Sequence, residues 1–395
     1  MKVHAAQGFR PATVVASAAA AAVVAMLLGG CSTPDADASP GAGIPGTPVE
    51  AGPDSCGHGW TGGAAGAQTF AVTNTATTGM AVYLQDTRAT PRTYLVLDAI
   101  GAGATASASV RLDGGSYRFV CLQADEDPVL GPAVTVTGGK VDQATPSIVL
   151  LSQNDLVAAT QAYSTWALGR ARTLAEQVAT LDGDAARGDL GAARADWLTA
   201  HTTYGTLGAA YGAFGDLGDA IDGSGTTGFR AVEAQLWGTG GTAGARPLVQ
   251  GLVTDTTALV KQLQDPRMDP LELGLRSHEI LEDVQRETLS GRADGPSGTT
   301  LAEVAAAVDG SRAALVQLRP LLAAQGDDLA DVDAALDALA AEVATFHHDA
   351  PAGQTGWTPW PALTPAQREL LNARLDAALE PLARVAATTE PRRHP

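Results

Sequence analysis

Two short segments of this sequence hold most of the side chains that can coordinate a cation. In His278-Glu279-Ile280-Leu281-Glu282 an imidazole and a carboxylate stand four residues apart, which on a helix makes them neighbours on one face. Leu271, Leu275 and Leu289 fall near the same stripe. The pair therefore sits beside apolar neighbours, where it can clasp one cation or form an ion pair that holds two helices in register. The segment invites comparison with the zincin pattern of two His at i and i+4 and a Glu after the first, but Glu282 takes the place of the second His. A mixed nitrogen and oxygen donor set suits iron or manganese better than a catalytic zinc. The second segment runs from Gly228 to Gly238, where Phe229, Val232 and Leu236 mark a core-facing stripe and Arg230 and Glu233 are neighbours on another face. Taken alone, an Arg/Glu pair at that spacing is an ordinary surface ion pair worth a few tenths of a kcal/mol. Asp216, Asp219 and Asp222 cluster just upstream in a loop that can help to bind a cation or can simply cap helices. His347, His348 and Asp349 are a further group, but adjacent His side chains on a helix point about 100° apart.

These side chains need rigid elements behind them, and apolar spacings of three and four supply helices. Candidate helices cover Asn154 to Leu181, Gly191 to Phe214, Thr227 to Trp237, Leu248 to Gln264, Pro270 to Ser290, Leu301 to Ala324, Asp328 to His347 and Pro365 to Ala387. In the fifth, Asp269 is placed to cap, Pro270 suits the first position and Glu272 stands where a capping-box acid stands. Eight helices with short connections predict two packed bundles in series over residues 148–392. Upstream, from Cys56 to Thr137, the period is two, as in Phe70-Ala-Val72, Met80-Ala-Val82-Tyr-Leu84 and Tyr117-Arg-Phe119-Val-Cys121. Six or seven strands in a small β-sandwich over residues 55–138 follow from that pattern and its Gly-rich turns. Cys56 and Cys121 read as a disulfide worth about 4 kcal/mol in the chain-entropy model. A blue-copper centre is not expected, because Leu122-Gln123-Ala124-Asp125 brings no histidine after Cys121 and His58 is the module's sole histidine.

The first thirty residues read as an export signal: Lys2 and Arg10, then an apolar run from Thr13 to Leu28 that is short for a spanning helix. It ends in Leu28-Gly29-Gly30-Cys31, which looks like the lipobox of bacterial lipoproteins, so Cys31 is the expected acylation site. Ser32 to Asp54 has hardly a large apolar side chain and reads as a flexible linker, residues 31–54, between anchor and fold. The formal charge of -18, with no Lys/Arg cluster, removes the footprint of a nucleic-acid binder and favours cations or basic partners. Three cysteines cannot assemble a zinc ribbon or an iron–sulfur cluster.

Several of these segments, in this order, resemble the EfeO/EfeM branch of the imelysin family. They are the lipobox, Cys56-Gly-x-Gly-Trp60, Tyr117-x-Phe119-x-Cys121, Tyr211-Gly-Ala-Phe-Gly-Asp216, Gly228-Phe229-x-x-x-Glu233-x-x-Leu236-Trp237, His278-Glu279-Ile280-Leu281-Glu282-Asp283 and Trp357-x-Pro359. The resemblance implies a cupredoxin-like sandwich followed by an imelysin-like double four-helix bundle. It also implies an extracytoplasmic iron-binding role beside a ferrous-iron permease and a haem-containing Dyp-type peroxidase. Three positions depart from the family pattern. Arg230 stands where the Gly-Phe-His-x-x-Glu motif has its His, Gly205 follows Tyr204 where a Glu is common, and Gly218 follows Gly215-Asp216-Leu217 where an Asp is common. A guanidinium cannot ligate a metal, and its fixed charge opposes a cation nearby.

The leading expectation is a lipid-anchored iron-binding component of an uptake system outside the cytoplasmic membrane, with Glu233, His278, Glu282 and Asp216 or Asp219 as ligands for ferrous or ferric iron. The alternative keeps the fold without the metal, as a partner-binding envelope lipoprotein in which Arg230 pairs with Glu233 and fills the pocket. A metallopeptidase, the third option, lacks a visible catalytic zinc constellation.

Overall fold

Alternating side chains between Thr47 and Thr137 form ten strands among the described residues: β1 (Thr47–Ala51), β2 (Cys56–His58), β3 (Gly63–Ala64), β4 (Gly66–Asn74), β5 (Met80–Asp86), β6 (Thr93–Ile100), β7 (Thr105–Leu112), β8 (Gly115–Gln123), β9 (Val129–Leu130) and β10 (Val134–Thr137). The computed structural model describes residues 44–223, 226–265, 268–291, 295–351 and 353–393. The export signal, Cys31 and the linker as far as residue 43 lie outside the described residues. One sheet has the order β2-β1-β4-β7; the other has β3-β10-β8-β5-β6, with β9 paired to β8. The two sheets close on one core in which Trp60, Phe70 and Phe119 meet edge to face, their centroids 5.1 to 5.6 Å apart. The Cys56–Cys121 disulfide joins β2 of one sheet to β8 of the other, with Cα atoms 5.8 Å apart.

The end of the expected linker is corrected by β1, which pairs in parallel with β4, as at Val49↔Val72, and antiparallel with β2. Only Val49 and Ala51 of this strand are buried apolar side chains. Composition weighs side-chain burial alone and misses that β1 completes the backbone ladder of its sheet. Strand β8 is buried on both faces. Tyr117, Phe119 and Cys121 point into the sandwich, whereas Val120 and Leu122 pack with Tyr83 and Leu150 outside it.

The helical region contains α1 (Gln153–Arg187), α2 (Leu190–Gly205), α3 (Asp216–Asp222), α4 (Gly228–Leu236), α5 (Gly241–Gln262), α6 (Leu273–Asp283), α7 (Thr300–Ala324), α8 (Ala330–Ala344) and α9 (Pro365–Thr389). One group packs α1 against α2 and α5 with α4 on α5; a second packs α6 against α7 and α9 with α8 on α9. Helix α7 also contacts α1 and α2, so one hydrophobic core runs through both groups from Leu151 to Val385. The sandwich is tied to this region by polar contacts. The Arg393 guanidinium donates to the Gln123 and Glu126 carbonyls, Arg92 donates to the Gln325 carbonyl, and Arg392 lies 3.5 Å from Asp98.

Two local expectations are revised. Helix α6 starts at Leu273, because the Asp269 carboxylate accepts from the Leu271 amide in a tight turn and Glu272 turns toward Arg276 instead of capping. The acidic stretch expected as a loop is the two-turn helix α3, with Asp216 and Asp219 in its first turn, where carboxylates suit the positive helix end. Among the described residues no helix is long and apolar enough to cross a membrane.

Candidate functional site

Helix α2 presents Trp197, His201 and Tyr204 on one buried face, at spacings of four and three. Its first turn is set by the Asp189 carboxylate, which accepts from the Ala192 amide at 3.0 Å. The Trp197 indole N–H donates to the Phe229 carbonyl at 3.0 Å and thereby pins α2 to α4. The His201 ring lies between Trp197 and Phe229, 4.7 and 5.0 Å away between centroids. After α2 a 3₁₀ turn, Gly208–Ala213, brings Tyr211 onto Tyr204, 5.2 Å apart and stacked. That turn requires glycine at 208, since a Cβ there would meet Ile280 of α6 at 2.7 Å.

Beside this aromatic cluster opens a cleft of about 550 Å³ whose walls come from α2, α4, α6 and α7 and the residues that follow α6. Among the described residues that line it, Asp222, Glu279, Asp283, Glu287 and Glu303 are acidic and Arg230 and Arg276 are basic. Five carboxylates against two guanidiniums leave an excess of negative charge, which attracts cations. On α6 the lining residues Arg276, Glu279, Ile280 and Asp283 repeat every three or four positions. The stripe continues to Glu287 through a π-helical turn, Val284–Thr288, a distortion often found at functional sites.

The Arg230 guanidinium makes a two-pronged pair with Glu303 at the start of α7, at 2.9 and 2.8 Å. It also lies 3.6 Å from Glu233. Burial works against its charge, but Glu303, Asp222 and Glu233 outweigh burial and hold Arg230 above the ordinary arginine value. Asp222 shows the opposite balance of the same kind. Burial pushes its carboxyl up, yet His201 and Arg230 prevail and hold it below the usual range. Burial, joined by Asp222 and Asp219, raises the Tyr204 phenol well above its usual value, so it stays neutral.

The residues singled out in the sequence are dispersed by this geometry. Glu233 is 1% exposed and faces the loop before α7, where its carboxylate accepts from the Ser297 amide at 3.0 Å and from the Ser297 hydroxyl. Gly295 closes that loop so tightly that a Cβ there would meet the Glu233 carboxylate at 2.1 Å. His278 and Glu282 pair with each other at 3.7 Å, and Glu282 also meets Arg286 at 3.4 Å. They lie about 100° round α6 from Glu279 and Asp283, outside the cleft lining. Asp216 and Asp219 are exposed on α3, and the carboxylate of that helix that reaches the cleft is Asp222. His347 stacks on Trp357, 4.6 Å between centroids. Among the described residues no group of three or more His, Cys, Asp or Glu converges as a metal site. The cleft residues that sequence reasoning missed are His201, Glu303, Glu279 and Asp283. The spacing of Trp197, His201 and Tyr204 was the available signal for the first of them.

Residues 159–385 match the sequence profile of the imelysin family, more than half of the chain. The chain belongs to the imelysin family. Its matched segment encloses every lining residue of the cleft. Among curated proteins, the chain is similar to the iron uptake system component EfeO of Yersinia pestis, 25% identical over 298 residues that cover 72% of this chain and 76% of that protein. It is also similar to the protein of the same name from Escherichia coli K12, 26% identical over 300 residues with the same coverage. That coverage exceeds the imelysin segment, so the likeness reaches back into the sandwich. Relative to the imelysin pattern, Gly205 has a local reason: a Cβ there would meet the Ala306 Cβ of α7 at 3.0 Å.

Proposed function

We propose that this chain is the extracytoplasmic, lipid-anchored, iron-binding component of an iron-uptake system, and that the acidic cleft holds the cation. The supporting observation is that the segment shared with the imelysin family, in a chain similar to two proteins named iron uptake system component EfeO, is the one that encloses five carboxylates and a histidine. Iron, ferrous or ferric, is the cargo and suits such a mixed oxygen and nitrogen lining. Cys31 carries the acyl anchor, and a ferrous-iron permease and a Dyp-type haem peroxidase are the partners that the resemblance implies.

Titration of the purified full-length protein with ferrous and ferric iron tests this reading, beside an Asp222→Asn, Glu303→Gln double variant of two cleft carboxylates. One tight equivalent in the native protein, lost in the variant, supports it; equal uptake by both, or by neither, overturns the placement of iron in the cleft. Cys31→Ala is expected to release the protein from the membrane fraction and to abolish labelling by fatty acid.

One observation favours a second reading. Arg230, pinned between Glu303 and Glu233, occupies the cleft with a fixed positive charge. In a metal-free, partner-binding envelope lipoprotein that ion pair is a structural plug. A native protein inert to iron that gains binding with Arg230→His identifies this case.

A further inference from the structure

His201 is 5% exposed and its ring is held at a tilt between Trp197 and Phe229, a packing role that an apolar ring would fill equally well. Its polar atoms are less well served. Nε2 lies 4.0 Å from Asp222 Oδ1, and Nδ1 lies 3.9 Å from Glu303 Oε1 with no hydrogen-bond partner. A neutral imidazole carries one N–H and one lone pair, and a carboxylate is an acceptor only. Whichever nitrogen holds the proton, the other points a lone pair at a carboxylate. With the proton on Nε2 facing Asp222, Nδ1 and Glu303 Oε1 are two donor atoms confronting each other across a gap, inside a cleft with excess negative charge. A buried Nδ1 left without a partner is costly, and a cation between it and Glu303 Oε1 removes the cost. Glu303 is already oriented, because each of its oxygens accepts a hydrogen bond from Arg230.

We propose that His201 Nδ1 and Glu303 Oε1 are the protein ligands of the cation in this cleft, with Asp222 orienting the imidazole through Nε2 and water completing the shell. A carboxylate behind the ligating ring fixes its tautomer and orientation. The donor pair suits a divalent first-row cation, ferrous iron in the function proposed above, on which this assignment rests.

Anaerobic ferrous-iron titration of the full-length protein and of His201→Gln tests it. The variant is expected to bind at least about tenfold more weakly, the lower end of what even an orienting neighbour contributes. In parallel, the native protein labelled with ¹⁵N-histidine is titrated with zinc as a diamagnetic probe. The expected result is a displaced Nδ1 resonance of His201 while Nε2 keeps its proton. If His201→Gln does not fold, this spectrum decides alone. Iron binding by His201→Gln within twofold of the native protein, or a His201 ring that stays unmoved or doubly protonated, overturns the ligand assignment and leaves the uptake function standing. No iron taken up by the native protein overturns both.

Discussion

Two aromatic clusters sit at the centres of the two halves of this molecule, and they are built to different ends. In the sandwich, Trp60, Phe70 and Phe119 meet edge to face around a disulfide. In the helical half, Trp197 and Phe229 make a similar aromatic frame, but its third ring is His201, and Arg230, Glu303 and Asp222 crowd beside it. The first arrangement buries area and cross-links it. The second sets part of the same apolar frame beside charges that are held in place by their pairs. Under the proposed function, stability and cation binding are divided between the two regions.

The largest effects that test this division come from the rings themselves. Phe119→Ala and Phe229→Ala are each expected to destabilise their own region by about 3–5 kcal/mol in urea unfolding, as large buried truncations do. Only Phe229→Ala also weakens iron binding; equal weakening by Phe119→Ala breaks the division. Reduction of the Cys56–Cys121 disulfide, which closes a separation of 65 residues, should cost the sandwich about 4 kcal/mol. Near-ultraviolet circular dichroism with and without reductant checks that the signal of the helical cluster persists. The Arg230–Glu303 pair comes next. Arg230→Met and Glu303→Gln should each cost about 2 kcal/mol, the scale of a lost charged hydrogen bond, and together less than the sum. Strict additivity in that double-mutant cycle shows an uncoupled pair and removes the basis for a fixed-charge site.

Buried phenols give both regions an alkaline limit, and Asp222 adds an acid limit in the cleft. Burial, with Tyr94 and Asp113, pushes the Tyr117 phenol up to about 12. The folded state favours its neutral form, so its contribution is complete below the ordinary tyrosine value near ~10 and is lost as pH rises from there toward 12. Asp222 is held below the carboxylate range, so what it contributes is present above pH ~4 and is lost as pH falls further. Phenolate absorbance and circular dichroism across both limits should show both regions weakening at the alkaline end and the cleft responding to Asp222 at the acid end. The smallest effect is expected at the partly exposed His278/Glu282 pair. Glu282→Ala should cost under about 1 kcal/mol and leave iron binding unchanged, and a loss of binding returns the site to that face of α6.

Much of this could be read directly. The period-two run with Cys56 and Cys121 placed the sandwich and its cross-link, and spacings of three and four placed the helices, because each signal is local and repeats along the chain. The core stripe Phe229, Val232 and Leu236 is buried as its spacing predicts. Where the expected ligands lie is a matter that spacing does not record. His278 and Glu282 do share a face, but a period of 3.6 does not say which face of α6 meets α2 and α7, and Glu279 and Asp283 are the ones that line the cleft. Glu233 was expected as a metal ligand, and its Oε1 accepts from Ser297, far along the chain, through a loop whose path no spacing records.

Sequence alone determined the element types, the family resemblance and the disulfide, since these follow from local periodicity, ordered motifs and the small number of cysteines. Only the tertiary structure decided the site. A cleft is made by the side chains of separate helices meeting across α2, α4, α6 and α7, and the pairings His201 with Glu303 and Arg230 with Glu303 join residues 102 and 73 positions apart. No local pattern encodes such a meeting, because it is fixed by how the helices pack.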